Sequence, residues 1–201
     1  EDLILRSLHH GTQRAPLRSR LSAVVAASLF ASVFTFGAAA AAPSSVAAAT
    51  PRWYGVETYY LRLLNCTRTG GWVLKDGTCR GYGSGTYSKY RPPLKRSAGI
   101  SDVARGWAKK LAVTNQCRHG DPSARLRAAG YKGYRWGENI GCYSGTGAYK
   151  SVLASHRAFQ REKSTGGGHW KNIKNRNYKM VGIGVWKSNG RVRLVTDFYA
   201  P

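Results

Sequence analysis

The chain has 201 residues, 42% of them hydrophobic, and its 32 Lys and Arg residues far outnumber its 9 Asp and Glu residues. This apolar content suffices for a folded core and excludes a wholly disordered chain. The net charge of +23 favours anionic partners. No recognised nucleic-acid-binding module accompanies that charge, so the sequence does not indicate a nucleic-acid-binding protein. The length fits one domain with an additional segment.

The additional segment is N-terminal and has the pattern of a secretory signal peptide. Arg14, Arg18 and Arg20 precede an uncharged apolar run, 21–42, that ends in small residues. A basic start, an apolar middle and a small-residue end are typical of such signals. A transmembrane anchor is the alternative, since ~20 apolar residues span a bilayer, but the alanine-rich end before a proline favours cleavage. The predicted parts are an N-terminal extension with signal peptide over 1–42, a linker over 43–52 and a secreted domain over 53–201.

Four cysteines lie in the predicted mature part, and an even number in an oxidising compartment indicates two disulfides. Three pairings are possible, and we favour the one that joins sequence neighbours, Cys66 with Cys79 and Cys117 with Cys142. Metal binding by the thiolates is the alternative, but the sequence contains no Cys-x-x-Cys spacing.

Apolar periodicity predicts three long helices in the mature part. They cover 56–65, 103–112 with Ser101 as N-cap, and 148–163. A long disulfide-tethered loop is expected over 70–93, which holds six glycines and two prolines.

Two further elements follow from turn residues. Asp121-Pro122 opens a short helix that Gly130 closes. Two β-rich runs, 180–186 and 191–198, flank Ser188-Asn189-Gly190 and predict a hairpin. Helices followed by a closing antiparallel hairpin give an α+β fold class.

The mature part has few residues suited to chemistry, and some of them are expected to meet. The favoured Cys117–Cys142 disulfide would bring His119 close to Glu138, which lies in a rather apolar stretch. The three glycines before His169 allow the backbone to return toward Glu162 at the end of the third helix. Two His and two Glu side chains that converge would make a metal or acid/base site.

These residues lie in segments that resemble the CAP superfamily, the cysteine-rich secretory, antigen-five and pathogenesis-related proteins, also called SCP domains. The resemblance covers about 53–201, and its segments occur in family order. They are Leu64-Asn65 with Arg68, Trp107-Ala108 with Leu111, Cys117-Arg-His119, Gly137-Glu-Asn-Ile140, Phe159-Gln-Arg-Glu162, Gly168-His-Trp-Lys-Asn-Ile173 and Val181-Gly-Ile-Gly-Val-Trp186.

The resemblance implies a three-layer α-β-α sandwich around an antiparallel sheet, as a single domain, with a cleft that holds the two His and two Glu residues. In relatives the His residues, here His119 and His169, bind a divalent metal, often zinc. The Glu residues, here Glu138 and Glu162, orient water or ligands. The sequence that follows His169 is similar to that of bacterial members. His156 matches no functional position and is expected to be structural.

Three functions of different classes remain open. The first is a secreted, monomeric binding protein whose cleft and basic surface engage a lipid, a hydrophobic ligand or a cell-wall component. The second is a metal-dependent hydrolase, a peptidase or esterase, with Glu138 or Glu162 as the base. The third is a structural or toxin-like factor without a catalytic site. The sequence contains neither a His-Glu-x-x-His nor a Gly-x-Ser-x-Gly motif.

The basic surface is the last feature of the sequence. Four basic and two acidic residues precede residue 43. The predicted mature part therefore has 28 Lys and Arg residues and 7 Asp and Glu residues. Anionic polymers, lipid headgroups and acidic glycans outside the cell are the expected partners, and a membrane would be reached only through an uncleaved signal. Lys109-Lys110 and 171–179 are the densest basic stretches. The aromatic residues of the glycine-rich loop are candidates for sugar stacking; they are Trp72, Tyr82, Tyr87 and Tyr90.

Overall fold

The computed structural model describes residues 49–201. The signal peptide predicted over 1–42 and most of the predicted linker therefore lie outside the described residues. Residues 49–201 form five helices: α1 Tyr54–Arg68, α2 Ala98–Val113, α3 Pro122–Ala128, α4 Ala148–Arg161 and α5 Gly168–Lys174. The same residues form six strands: β1 Trp72–Val73, β2 Cys79–Arg80, β3 Lys95–Arg96, β4 Arg135–Ser144, β5 Met180–Ser188 and β6 Arg191–Ala200. Within 49–201 no helix is both long and apolar enough to cross a bilayer.

The strands form a central four-stranded sheet in the order β3-β5-β6-β4, and β1 and β2 form a separate small hairpin. β4 and β5 each pair antiparallel with β6 along their whole length. The three long strands thus form the expected antiparallel sheet, and the two-residue β3 is added parallel to β5 at its edge. A parallel neighbour needs a crossover, which the chain makes because residues 97–179, with four helices, separate β3 from β5.

Helices cover both faces of the sheet, which confirms the α+β class and the three-layer α-β-α sandwich. On one face, α1, α4 and α5 pack on Val181, Ile183 and Val185 of β5. On the other face α2 lies close to the sheet because Gly182 and Gly184 carry no side chain. A Cβ on either glycine would come within 2.4 Å of the α2 backbone.

The predicted first and second long helices are present, but the predicted cap of the second was wrong. Ser97 has extended backbone and its hydroxyl accepts the Ile100 N–H at 3.3 Å, so the helix begins at Ala98. Ser101 lies one turn inside and is buried. Its hydroxyl donates to Ser97 O at 2.7 Å and accepts the Ile183 N–H at 3.2 Å. Ser101 therefore satisfies a backbone N–H at the edge of β5 and does not cap the helix.

The other predicted elements are largely confirmed. The Asn189-Gly190 hairpin has both residues at positive φ, 47° and 72°, as a type I′ turn requires. The short helix is capped by the Asp121 carboxylate, which accepts the Ala124 N–H at 2.9 Å. The third predicted helix, α4, ends at Arg161, two residues earlier than expected, with Glu162 as its C-cap. Strands β3 and β4 and helix α5 were not predicted.

Both favoured disulfides, Cys66–Cys79 and Cys117–Cys142, are present. The first ties α1 to β2, at the start of the glycine-rich loop. That loop contains the β1-β2 hairpin and then returns across the end of α1, where Gly85 N–H and Tyr87 N–H donate to Thr69 O and Gly70 O at 3.2 and 2.8 Å. The predicted tethered loop is therefore an ordered layer on α1.

His156 lies in the core between α1 and α4 and is fully buried. The Thr67 hydroxyl donates to Gln160 Oε1 at 3.0 Å, so it accepts from His156 Nε2 at 2.8 Å. This leaves Nδ1 buried and without a hydrogen-bond partner among residues 49–201. The imidazole is thus a neutral packing element, and burial lowers its pKa to about 3.

The buried imidazole predicts a loss of stability in acid. Between pH 6.5 and 3 the unfolded chain binds a proton at this residue that the folded chain does not bind, so stability falls as pH falls. The expected loss between pH 7 and pH 5 is about 2 kcal/mol. Chemical denaturation at the two pH values, compared with His156→Gln, measures it. An equal pH dependence in both proteins would contradict the assignment.

Candidate functional site

The four residues predicted for the site line one cleft of about 500 Å³ between the first half of β4 and the start of α5. His119 and Glu138 form one wall, and Glu162 and His169 form the other. Thr165, Gly167, Gly168 and Asn172 complete the lining.

The first pair joins the loop after α2 to strand β4. His119 Nδ1 lies 2.9 Å from Glu138 Oε1. The Glu138 side chain is 1% exposed, whereas that of His119 is 56% exposed. The Cys117–Cys142 disulfide holds the His119 loop against the strand that carries Glu138. A carboxylate oxygen accepts from Nδ1–H, which leaves Nε2 of His119 as the atom with a free lone pair.

Arg125, on α3, completes this wall. Its Nη2 donates to Glu138 Oε2, and its Nη1 donates to the His119 carbonyl at 3.1 Å. The guanidinium also lies over the Trp107 ring, 4.3 Å from the ring centroid. Arg125 therefore holds both members of the first pair, and it occupies the Glu138 oxygen that His119 does not use.

Asp197 lies behind Glu138, as its direct partner across the β4–β6 ladder. It is fully buried, and neither carboxyl oxygen accepts a hydrogen bond from an N–H or hydroxyl group of residues 49–201. Burial and the neighbouring Glu138 raise the pKa of Asp197 well above its usual range. Burial also raises the pKa of Glu138 to about 7, although Arg125 acts in the opposite direction. Ionisation of either carboxyl therefore makes ionisation of its neighbour more costly.

The second pair joins the end of α4 to the start of α5. Glu162 Oε1 accepts from His169 Nδ1 at 2.6 Å, and Oε2 accepts the His169 N–H at 3.0 Å. Desolvation raises the pKa of Glu162, but the hydrogen bond and charge of His169 outweigh it, so the pKa is lowered overall. Gly167 is required here, because a Cβ would lie 2.4 Å from the Glu162 carboxylate. The imidazole stacks on Phe159 with ring centroids 4.3 Å apart.

Two asparagines connect the walls. Asn139 Nδ2 donates to His169 O at 3.1 Å. Asn172 Nδ2 donates to Asn139 Oδ1 at 2.8 Å and to Glu138 O at 3.1 Å. Strand β4 and helix α5 are therefore fixed to one another at the floor of the cleft.

The donor set fits a weak, open metal site rather than a closed one. Each imidazole gives Nδ1 to a carboxylate, and its Nε2 makes no hydrogen bond to residues 49–201. Metal-binding imidazoles commonly donate the other ring nitrogen to a carboxylate in this way. In the same part of the chain no group of three or more His, Cys, Asp and Glu side chains is arranged to hold a metal ion. Two imidazoles are therefore the largest nitrogen donor set that this cleft provides.

A comparison of sequences decides the family. The model of the Cysteine-rich secretory protein family (CAP) matches residues 61–198, more than half of the chain. The chain belongs to the CAP family. None of the curated protein sequences is significantly similar to this CAP protein.

Solved structures share the CAP fold at low sequence identity. An extracellular protein containing an SCP domain from Bacillus anthracis is 20% identical, with a TM-score of 0.50; the match covers 73% of this chain and 41% of that chain. A cysteine-rich secretory protein of Staphylococcus aureus is 13% identical, with a TM-score of 0.47, over 72% of this chain and 38% of that chain. The structure of NaASP2 with Zn2+ is 17% identical, with a TM-score of 0.49; the match covers 71% of this chain and 78% of that chain. The CAP protein thus spans less than half the length of the two bacterial proteins. The two disulfides agree with a location outside the cell.

Sequence reasoning missed two residues of this CAP cleft, Arg125 and Asp197. Asp197 is the one acidic residue in the β-rich run 191–198, and a lone carboxyl in such a run signals a buried partner. Arg125 gave no signal, because the sequence offers several arginines near it and only the fold selects the one that reaches Glu138. Both missed residues contact or neighbour Glu138, the most buried member of the predicted set.

Proposed function

We propose that this protein is an extracellular CAP-domain binding protein whose cleft holds a divalent metal, zinc in preference, through Nε2 of His119 and of His169. One observation carries the proposal: each imidazole gives Nδ1 to its own carboxylate, Glu138 or Glu162, and keeps Nε2 free. This arrangement fixes the tautomer that a metal needs and raises the basicity of the ligating nitrogen.

The cleft residues would have distinct roles with the metal bound. The two imidazoles would bind it, and the two carboxylates would hold the rings in orientation. The metal would supply a Lewis acid with coordination positions open to water or a ligand. We do not extend the proposal to hydrolysis, because catalytic zinc sites have three protein ligands and this cleft brings two imidazoles together.

Zinc titration calorimetry of the oxidised protein at neutral pH tests the proposal. We expect one zinc per chain, and loss of that binding in the His119→Ala/His169→Ala variant. Arg127→Met is the control, because Arg127 lies on α3 over the Trp136 ring at 5.0 Å and makes no ion pair with a carboxylate of residues 49–201. Failure of the unchanged protein to bind zinc, or binding that survives in the double variant, would contradict the proposal.

Arg125→Met is expected to weaken zinc binding about tenfold, the lower end of the effect of residues that orient metal ligands. The change releases Glu138 Oε2 and the His119 carbonyl, so the His119 ring is no longer held in one orientation. Arg127→Met, which also removes an arginine stacked on a tryptophan, should bind zinc as the unchanged protein does. Equal affinities for the two variants would show that Arg125 has no part in orienting His119.

A second proposed function, independent of the cleft, is the binding of an anionic ligand by the basic surface. It is favoured by the low number of ion pairs. Among the 28 Lys and Arg residues of 49–201, three lie within 4.0 Å of a carboxylate. They are Arg96, Arg105 and Arg125. The remaining cations give the domain a positive field that attracts polyanions outside the cell.

A further inference from the structure

Four basic side chains from different parts of the chain meet at the turn that follows α1. Arg68 ends α1, Arg91 ends the glycine-rich loop, Lys163 follows α4 and Lys174 ends α5. We call them the loop–helix cluster. Arg91 N–H donates to Arg68 O at 3.1 Å, and Lys174 Nζ donates to the same carbonyl at 2.8 Å. The fold therefore concentrates charges that are up to 106 residues apart in sequence.

Backbone carbonyls hold these cations in place. Lys174 Nζ also donates to Thr67 O at 3.2 Å, and Arg91 Nε donates to Lys174 O at 3.2 Å. Lys163 Nζ donates to Tyr87 O. Arg68 is 1% exposed and uses its donors on carbonyls. The side chains are ordered before any ligand arrives, which lowers the entropic cost of binding one.

No member of the loop–helix cluster lies within 4.0 Å of a carboxylate of residues 49–201. Burial, and then the charges of Arg68, Arg91 and Lys163, lower the pKa of Lys174 to about 8. The positive charges thus repel one another without a protein counter-charge. An anion placed among them would remove that repulsion.

The surroundings indicate what kind of anion fits. Lys163 is exposed and Arg91 and Lys174 are partly exposed, so a ligand can reach three of the four cations. Tyr82 and Tyr90 of the adjoining loop are 58% and 47% exposed, and such rings stack on sugars or polyols. A membrane fits less well, because the large exposed apolar side chains of 49–201 are tyrosines and one valine rather than an inserting aliphatic or tryptophan group.

We propose that the loop–helix cluster binds a phosphate group of an extracellular phosphodiester polymer, with Arg91, Lys163 and Lys174 as its contacts. The exposed tyrosines contact the sugar or polyol beside that phosphate. The proposal rests on the anionic-ligand function proposed above, and names the site and the chemistry for it. A polymer suits the domain better than a single ion, because basic residues without an ion pair are spread over residues 49–201.

Calorimetry with poly(glycerol phosphate), repeated over a series of salt concentrations, tests the site. The Arg91→Gln/Lys163→Gln variant removes two cations of the cluster, and Lys109→Gln/Lys110→Gln removes two exposed cations of α2. We expect the cluster variant to bind at least about tenfold more weakly, the scale of one charged hydrogen bond. The slope of its log affinity against log salt concentration should correspond to about two fewer ions released on binding. The α2 variant should differ little from the unchanged protein.

The outcomes separate the two proposals. Equal weakening in both variants would overturn the cluster as a site and leave a diffuse basic surface. No binding by the unchanged protein at low salt would overturn both. Binding to phosphatidylglycerol vesicles without binding to the polymer would overturn the polymer as the partner. Retention of affinity in Arg91→Lys/Lys163→Arg would support the cluster, because that variant keeps both charges.

Discussion

Replacing Arg68 with methionine is expected to lower the free energy of unfolding by about 4 kcal/mol. The guanidinium donates to four carbonyls, those of Pro92, Ile173, Asn175 and Tyr178, at 2.6 to 3.0 Å. Methionine matches its apolar stem but leaves these acceptors unsatisfied in a buried place, and each such loss costs about 1 kcal/mol or more. Burial disfavours the charged form of Arg68 and lowers its pKa to about 10. The four hydrogen bonds must offset this cost of desolvation.

Denaturant unfolding of Arg68→Met measures the loss. Arg62→Met is the matched control, since Arg62 lies on the same helix but is exposed over the Tyr59 ring at 5.8 Å, and it should change stability by less than about 0.5 kcal/mol. Three of the four carbonyls lie at or just beyond the end of the helix that carries His169. Thus Arg68→Met should also weaken zinc binding at temperatures where the protein remains folded. Equal stabilities of the two variants would contradict the role of Arg68.

Replacing Glu57 with glutamine is expected to destabilise the protein by about 3 kcal/mol. Glu57 is fully buried on α1, and its carboxylate accepts from both Arg96 and Arg105. It also accepts the Val185 N–H of the β5 edge at 3.3 Å. Glutamine keeps the shape and can still accept at this edge, but it leaves the largely buried Arg96 without a counter-charge and Arg105 with only the exposed Asp102.

Asp102→Asn is the control for Glu57→Gln in the same denaturation measurement. Asp102 pairs with Arg105 as well, but its side chain is 72% exposed. An exposed pair contributes about 0 to 1 kcal/mol, so the control should lose little stability. A loss in Asp102→Asn as large as that in Glu57→Gln would show that burial of the carboxylate does not determine its contribution.

The elements that could be predicted from the sequence are those with strong local signals. Helices α1, α2 and α4 have apolar periodicity, and the β5-β6 hairpin has its Asn-Gly turn. Strand β4 was not predicted because its pairing with β6 decides its structure, while two of its residues are glycines. Helix α5 has seven residues and begins at a glycine. Its contacts with α4, β4 and Arg68 hold it in place rather than its own sequence.

The candidate site was predictable to the extent that local sequence constrains it. The disulfide limits where His119 can lie, and the glycines before His169 limit the path back to Glu162. Arg125 lies 13 residues from Glu138 in sequence, and Asp197 meets Glu138 only through strand pairing. Buried charges whose partners are distant in sequence were missed throughout, Glu57 among them, because no local pattern specifies such pairs.

Long-range proton–nitrogen NMR of the imidazoles during a zinc titration tests whether His119 and His169 bind one metal together. We expect that, in the free protein, Nδ1 of His119 and of His169 carries the proton. At one equivalent of zinc, Nε2 of both residues should shift together while His156 stays unchanged. Shifts at neither Nε2 atom at saturating zinc, or at one residue alone, would contradict a shared site in the CAP cleft.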